Sequence, residues 1–155
     1  MFSPFITIIL TAFVAGFLGT VCMTISQLIE IRITKRAASF TPAIIISRIF
    51  RIPFAALPEQ AKMRLNWAVH VGYGTLLGLT VPILLLIGVK KPMLLYLATF
   101  AFVWGQGLVV VPILGGHPPP WRWGPKWIFI DAFHHAVLAI GSVLFYLLLT
   151  GGALL

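Results

Sequence analysis

Long apolar stretches with few polar residues inside them dominate the pattern along this chain. Four apolar runs cover residues 6–29, 67–89, 93–114 and 127–149. Each run exceeds the roughly 20 residues that an α-helix needs to cross about 30 Å of hydrocarbon. Helices are expected because a backbone in lipid has to satisfy its polar groups within its own segment. The pattern therefore predicts an all-α membrane protein with four transmembrane helices in an antiparallel bundle.

The composition agrees with a membrane protein and changes the interpretation of the net charge. The 155 residues are 60% hydrophobic and 9% charged, whereas soluble domains carry about 25% charged residues. This length suits a single transmembrane domain covering residues 1–155. The formal net charge of +8 would indicate nucleic-acid binding in a soluble protein. In a membrane protein such cations set topology and contact headgroups, so we expect the lipid bilayer as a partner and no nucleic acid.

The cations are unevenly divided between the connections of the four runs. Of the eleven Lys and Arg residues, seven lie in the first connection, residues 31–66, and two in the third, residues 115–126. In an up-and-down arrangement these two connections share one side of the membrane. The second connection holds only Lys90 and Lys91. The positive-inside rule therefore predicts a bacterial inner-membrane, multi-pass protein with a cytoplasmic loop 31–66 and both termini outside the cytoplasm.

A short helix is predicted within the first connection. Thr41 suits the N-cap and Pro42 the first helical position, and Pro53 stops the helical pattern. Between them the side chains separate onto an apolar face and a polar face, formed by Ile45, Ile49 and Ile52 and by Ser47, Arg48 and Arg51. A helix of about 10–12 residues is too short to cross a bilayer. We therefore expect a short amphipathic helix lying in the interface.

Small residues at helical spacing predict where the helices touch. Leu gains nothing by leaving lipid, so membrane helices associate through close backbone approach and hydrogen bonds. The expected contact positions lie on all four helices and are Gly16, Gly19, Gly74, Gly78, Gly105, Gly107 and Gly141. Such patterns are common in membrane proteins. They predict packing within this chain or against another subunit, and they do not indicate a function.

The polar residues of the runs all fall in the half of the membrane next to the first connection. At about 1.5 Å per helical residue, every helix contributes to this layer. Its members are Gln27, Glu30, His70, Tyr73, Gln106, Asp131, His134 and His135. Ionisable groups are costly in hydrocarbon and usually mark a functional site. The sequence therefore predicts one polar intramembrane cluster.

Three interpretations of this cluster remain open. The first is a self-satisfied network in a non-catalytic accessory or structural subunit, which would bind other membrane subunits or a second copy. The second is a redox, metal or tetrapyrrole (haem or pigment) site that uses His70 and His134 or His135, with Asp131 and Glu30 as further candidate metal ligands. The third is a lipid-acting protein of the inner leaflet that uses Asp and His in acid–base chemistry. The lack of a nucleophile motif or a complete ligand set in the sequence favours the first interpretation over an enzyme.

Four short motifs also point to a family. They are Ala15-Gly16-x-x-Gly19-Thr20-x-x-Met23, His70-x-x-Tyr73-Gly74-x-x-x-Gly78, Val111-Pro112-Ile113-Leu114-Gly115 and a histidine early in the fourth run. Together they resemble the small four-helix bacterial inner-membrane proteins of the YagU type, over most of the chain. The resemblance implies a four-helix inner-membrane bundle of unknown function and supplies no catalytic residues. The chain departs from that pattern in its Pro118-Pro119-Pro120-Trp121 loop and in the pair His134-His135.

Overall fold

The described part of the chain is built from helices and short turns. The structure, a computed structural model, describes residues 3–115 and 117–152, and within these ranges it contains no β-strand. Two 3-10 turns lie at Phe54–Ala56 and Pro120–Arg122. The six helices are α1 (Pro4–Thr34), α2 (Thr41–Ile49), α3 (Glu59–Leu77), α4 (Thr80–Leu86), α5 (Pro92–Ile113) and α6 (Pro125–Thr150). The all-α class predicted from the sequence is confirmed for these residues.

Four helical segments are long and apolar enough to cross a membrane. They are Pro4–Thr34, Glu59–Leu86, Pro92–Ile113 and Pro125–Thr150. The second segment consists of α3 and α4 in succession. Each segment overlaps one of the four apolar runs of the sequence. The structure therefore supports the prediction of a multi-pass membrane protein.

Three of the four spanning segments are longer than the apolar runs that predict them, and α5 has the same length as its run. At the connection predicted over residues 31–66, α1 continues to Thr34 and α3 already begins at Glu59. The α1 helix ends where Lys35 adopts a left-handed conformation, and the Lys35 amide donates to Ile31 O at 2.8 Å. The hydropathy pattern shows which stretch of the chain is apolar enough for the hydrocarbon core of a bilayer, and it does not show where the helix ends. A helix can continue beyond that length because its backbone hydrogen bonds are internal.

The helix of the first connection begins and ends earlier than the sequence suggests. Thr41 is the first residue of α2 and not its cap. Its hydroxyl lies 2.6 Å from Ser39 Oγ, so it is engaged outside the helix. The helix ends at Ile49, well before Pro53, and a tight turn follows in which the Ile52 amide donates to Ser47 O at 2.7 Å.

The second spanning segment is interrupted one turn before Pro82. Proline lacks an amide hydrogen, and its ring clashes with the carbonyl four residues earlier, here that of Gly78. The turn before it tightens, because Gly78 N donates to Thr75 O at 3.1 Å and Leu79 N donates to Leu76 O at 3.0 Å. These bonds span three residues instead of four. The chain keeps its buried amides paired while the helix axis is interrupted.

Glycines of α1 bring its backbone against two neighbouring helices. A Cβ on Gly16 would lie 2.8 Å from the Cα of Gly78, which directly follows α3. A Cβ on Gly141 of α6 would lie 2.8 Å from the Cα of Gly19. Real side chains do not fit at such distances. The α1 helix is thus held between the second spanning segment and α6 by contacts that only glycine permits.

Helix α5 packs less closely than the sequence suggests. A Cβ on Gly105 would meet nothing within 4 Å, so this glycine forms no close contact with the other described helices of the chain. A Cβ on Gly107 would lie 3.6 Å from His135 Nε2, which is an ordinary separation. Only 17% of the apolar window of α5 is buried, against 28% in α1. With so little of its surface covered, α5 has no need for glycine at these positions.

The first and third connections meet at one end of the molecule. His117 Nε2 lies 2.5 Å from Thr41 Oγ1, and Arg48 Nη1 donates to Leu114 O at 3.2 Å. We call this the basic end, defined by residues 31–66 and 114–126, because it holds nine of the eleven cations. Away from it the buried side chains are mainly apolar, with clusters around Leu138 and Tyr146 of α6 and single buried hydroxyl residues such as Thr99 and Ser142. The core therefore becomes polar towards the basic end.

Gly19→Ala should lower the stability of the folded protein. Its new methyl group would lie 2.8 Å from Ser142 N and 2.9 Å from Leu138 O, which are backbone atoms that cannot move aside. We expect a loss of about 1–3 kcal/mol in the free energy of unfolding, measured by titration with a denaturing detergent in mixed micelles.

Gly105→Ala is the matched control for that variant. Its methyl group meets open space, and alanine favours the helix over glycine by up to about 1 kcal/mol. We expect unchanged or slightly higher stability. Equal losses for the two variants would contradict the close approach of α1 and α6.

Candidate functional site

Two histidines are held by hydroxyl groups of α1. His70 Nε2 of α3 lies 3.1 Å from Thr24 Oγ1, and His134 Nδ1 of α6 lies 2.8 Å from Ser26 Oγ. The two hydroxyl residues are two positions apart, so they leave α1 in different directions, towards its two neighbours. The α1 helix therefore connects both imidazoles to the same stretch of backbone.

The hydrogen positions around Ser26 follow from its neighbours. The Ser26 hydroxyl donates its one hydrogen to Met23 O at 2.7 Å. His134 Nδ1 is therefore the donor in its contact with Ser26 Oγ. This leaves Nε2 of the same ring facing Glu30 Oε2 at 3.7 Å, which is too long for a hydrogen bond. His134 is only 3% exposed, and its Nε2 atom has no hydrogen-bond partner among the described residues.

Glu30 is neutralised within α1 and the chain that follows it. Arg36 Nη2 lies 2.6 Å from Glu30 Oε2, and Arg36 Nε donates to the same oxygen at 2.7 Å. Thr34 Oγ1 donates to Glu30 Oε1 at 2.8 Å. A carboxylate near hydrocarbon is costly unless it is paired and hydrogen-bonded. The left-handed turn at Lys35 folds the chain back so that Arg36 reaches Glu30.

A second polar group joins α5 and α6. Trp104 Nε1 donates to Asp131 Oδ2 at 2.9 Å. His135 Nδ1 donates to the backbone oxygen of Asp131 at 2.8 Å, and the same nitrogen lies 3.6 Å from Asp131 Oδ2. The carbonyl oxygen can only accept, so Nδ1 carries a hydrogen. The carboxylate therefore receives an indole hydrogen bond while the neighbouring ring is fixed against the helix backbone.

The third polar pair links α3 to α5. The Tyr73 hydroxyl donates to Gln106 Oε1, and Gln106 Nε2 donates to Val103 O at 2.8 Å. The tyrosine is 46% exposed, so this bond lies towards the outer surface of the helices. Both the oxygen and the nitrogen of the Gln106 side-chain amide are engaged in hydrogen bonds. The pair uses its hydrogen-bonding capacity internally and presents little of it to a ligand.

The residues predicted to form one cluster lie in several separate contacts. Glu30 Oε2 lies 3.7 Å from His134 Nε2, Asp131 Oδ2 lies 3.6 Å from His135 Nδ1, and Tyr73 donates to Gln106. His70 bonds instead to Thr24. Gln27 forms no side-chain hydrogen bond within residues 3–115 and 117–152.

Sequence reasoning missed the partners that hold this cluster. They are Thr24, Ser26, Thr34, Arg36 and Trp104. The hydroxyl residues lie on the same helix segment as Gln27 and Glu30. Trp104 lies two residues before Gln106. A buried acid or imidazole requires a hydrogen-bond partner. Polar side chains this close in sequence to the predicted cluster members could therefore have been predicted as their partners.

The described residues offer no ready metal site. Within the two described ranges, no group of three or more His, Cys, Asp or Glu side chains lies close enough to hold one ion. The candidate ligands Glu30, His70, Asp131, His134 and His135 are distributed over the separate contacts given above. Bound ligands need convergent and available donors. In this arrangement the candidate ligands do not converge on one point, and Nε2 of His134 is a buried ring nitrogen without a hydrogen-bond partner among the described residues.

The contact between Ser26 and His134 should be measurable as a coupling energy. We expect the double-mutant cycle of Ser26→Ala and His134→Leu to give a coupling of about 0.5–1.5 kcal/mol in the free energy of unfolding. The Ser26→Ala and His70→Leu cycle is the control, because those side chains share no hydrogen bond. That cycle should be additive within about 0.5 kcal/mol. Similar couplings in both cycles would contradict the pairing.

Comparison with known proteins leaves this site without a family context. No family model, no curated protein and no solved structure matches the chain. Conclusions on its role therefore depend on the contacts of its own side chains.

Proposed function

We propose that this chain is a non-catalytic integral membrane protein, an accessory or structural subunit of a larger membrane assembly. One observation carries the proposal: the polar groups of the spanning segments are held in separate contacts, several of them between helices, instead of converging on a shared cavity. A catalytic or binding centre needs unpaired groups around one space. Hydrogen bonds between helices serve instead to fix their register and contact.

The two alternatives receive less support from the same contacts. A redox, metal or tetrapyrrole centre would use His70 and His134 or His135. Nε2 of His70 is already in contact with Thr24, and in the two described ranges no group of three or more His, Cys, Asp or Glu side chains lies close enough to hold one ion. A lipid-acting protein would use Asp131 with a histidine in acid–base chemistry, but its carboxylate already accepts from Trp104. Both remain predictions without a specific observation in their favour.

We further propose the finer architecture, an antiparallel four-helix bundle of the bacterial inner membrane related to the YagU-type proteins. The contacts of Thr41 with His117 and of Arg48 with Leu114 support it. The first joins the first connection to the third, and the second joins the first connection to Leu114 at the end of α5. An up-and-down order of four spans requires these parts of the chain to lie together. The motif resemblance given above supports the family and the membrane.

We propose that α2 is amphipathic and lies in the interface at the basic end. It packs along α3, where Asn66 accepts from Ala43 N at 3.3 Å. Ala43 and Ser47 are buried, whereas Ile49 is 52% exposed and Phe50 is 68% exposed. Exposed apolar side chains next to Arg48 suit the boundary between headgroups and hydrocarbon.

Purification in a mild detergent separates the three functions. We expect a colourless preparation without stoichiometric metal, in which the chain migrates with other subunits or with further copies of itself. A monomer that brings no other chain would contradict the subunit proposal. A visible absorption band that disappears in His70→Ala would establish the cofactor alternative instead.

Cysteine labelling tests the orientation. In a Cys22→Ala background, Lys90→Cys in the second connection should react with a membrane-impermeant maleimide on intact cells. Ala55→Cys in the first connection should react only after permeabilisation, because the basic side is expected to be cytoplasmic. The parent Cys22→Ala chain controls for background labelling. The reverse pattern would place both termini inside.

A further inference from the structure

A groove runs between α1 and α3 on their outward face. It has a volume of about 220 Å³, and its lining residues are Phe17, Thr20, Val21, Thr24, Ile25, Trp67 and Val71. Its walls face outwards, since Phe17 is 45% exposed and Trp67 is 41% exposed. In a spanning protein this surface faces the acyl chains of the bilayer.

The groove offers nothing to a polar ligand. Its two hydroxyl groups are both engaged within the protein. Thr20 Oγ1 donates to Gly16 O at 2.7 Å, and Thr24 Oγ1 lies 3.1 Å from His70 Nε2. The remaining lining is aliphatic or aromatic. An occupant therefore has to be apolar where it lies in the groove.

A second recess continues along the same stripe of α3 towards the basic end. It has a volume of about 360 Å³ and is lined by Glu59, Gln60, Met63 and Arg64. Arg64 precedes Trp67 by three residues and Val71 by seven, so all three lie on one face of the helix. The apolar groove and the polar recess thus follow one another along α3.

Both walls of the groove lead to an arginine at the basic end. Arg32 lies eleven residues after Val21, on the same face of α1. In the described part of the chain neither Arg32 nor Arg64 takes part in an ion pair, and both are exposed. The carboxylate of the recess, Glu59, lies 3.5 Å from Lys62 Nζ and is balanced by it. The net charge near the recess is positive.

We propose that this surface binds one anionic phospholipid of the leaflet at the basic end. Its acyl chain would lie in the groove between α1 and α3, and its phosphate would contact Arg64 in the recess. The apolar lining selects the tail and the arginines select the charge of the headgroup. The proposal requires only that the helices span a membrane, and it is independent of the subunit function proposed above.

Native mass spectrometry of the delipidated full chain tests the proposal. The probes are phosphatidylglycerol and phosphatidylcholine with identical acyl chains. We expect one phosphatidylglycerol to bind per chain with higher affinity than phosphatidylcholine. Glycerol phosphate should not compete, because it lacks the tail. Equal, non-saturating binding of both lipids would mean annular lipid only and would overturn the proposal.

Two variants separate the headgroup from the tail. Arg64→Gln should weaken phosphatidylglycerol about fivefold and leave phosphatidylcholine unchanged, whereas Arg122→Gln removes an exposed cation from the same end and should change neither. Val21→Trp should fill the groove and weaken both lipids. Val109→Trp, at a position of α5 that is 57% exposed, is its control. Equal effects of a variant and its control would overturn the site.

Two further measurements cover the remaining outcomes. If Val21→Trp does not fold, a phosphatidylglycerol with a photoreactive acyl chain should label the peptide that contains Trp67 and Val71. Labelling confined to α5 or α6 would overturn the proposal. If Val21→Trp folds and changes the oligomeric state while lipid binding stays the same, the groove is a contact between copies of the chain and the lipid proposal is wrong.

Discussion

Close approach between the backbone of α1 and two neighbouring helices is the constraint on which the other contacts depend. Gly16 meets Gly78 on one side, and Gly19 meets Gly141 on the other. Hydrophobic burial provides no driving force between helices in lipid, so such contacts have to supply the packing. They fix the rotation of α1 about its axis. Thr24, a few residues further along α1, consequently lies where its hydroxyl reaches His70 of α3.

The polar contacts at the basic end follow from that rotation, and their main effect is specificity. Hydrogen bonds between membrane helices average only about 0.6 kcal/mol each. An unpaired buried donor or acceptor costs about 1–3 kcal/mol. Ser26 and His134 therefore add little net stability while they penalise every arrangement that separates them. Arg36 acts similarly on Glu30, whose carboxylate would be costly near hydrocarbon without it.

The parts of this fold that hydropathy determines were predictable, and the pairings were not. The four apolar runs identify the spanning helices, because the length of an apolar segment is a local property. Which side chains meet depends on the rotation of each helix, which no single segment specifies. Gly16 and Gly105 look equivalent in the sequence, yet only Gly16 contacts another backbone. Glu30 and His134, both predicted members of the cluster, lie 3.7 Å apart. The contact of His70 with Thr24 was not predicted, because it depends on how α1 and α3 are rotated.

The groove and the polar pairs meet at one residue, and this relates the proposed lipid to the interior. Thr24 lines the groove and also holds His70. The groove and the hydrogen bond to His70 therefore share this side chain. A hydrogen bond is stronger where water is absent, and an unpaired polar group is then more costly. An acyl chain in the groove would keep the contact between Thr24 and His70 away from water, so the proposed lipid would strengthen a hydrogen bond that holds α3 against α1.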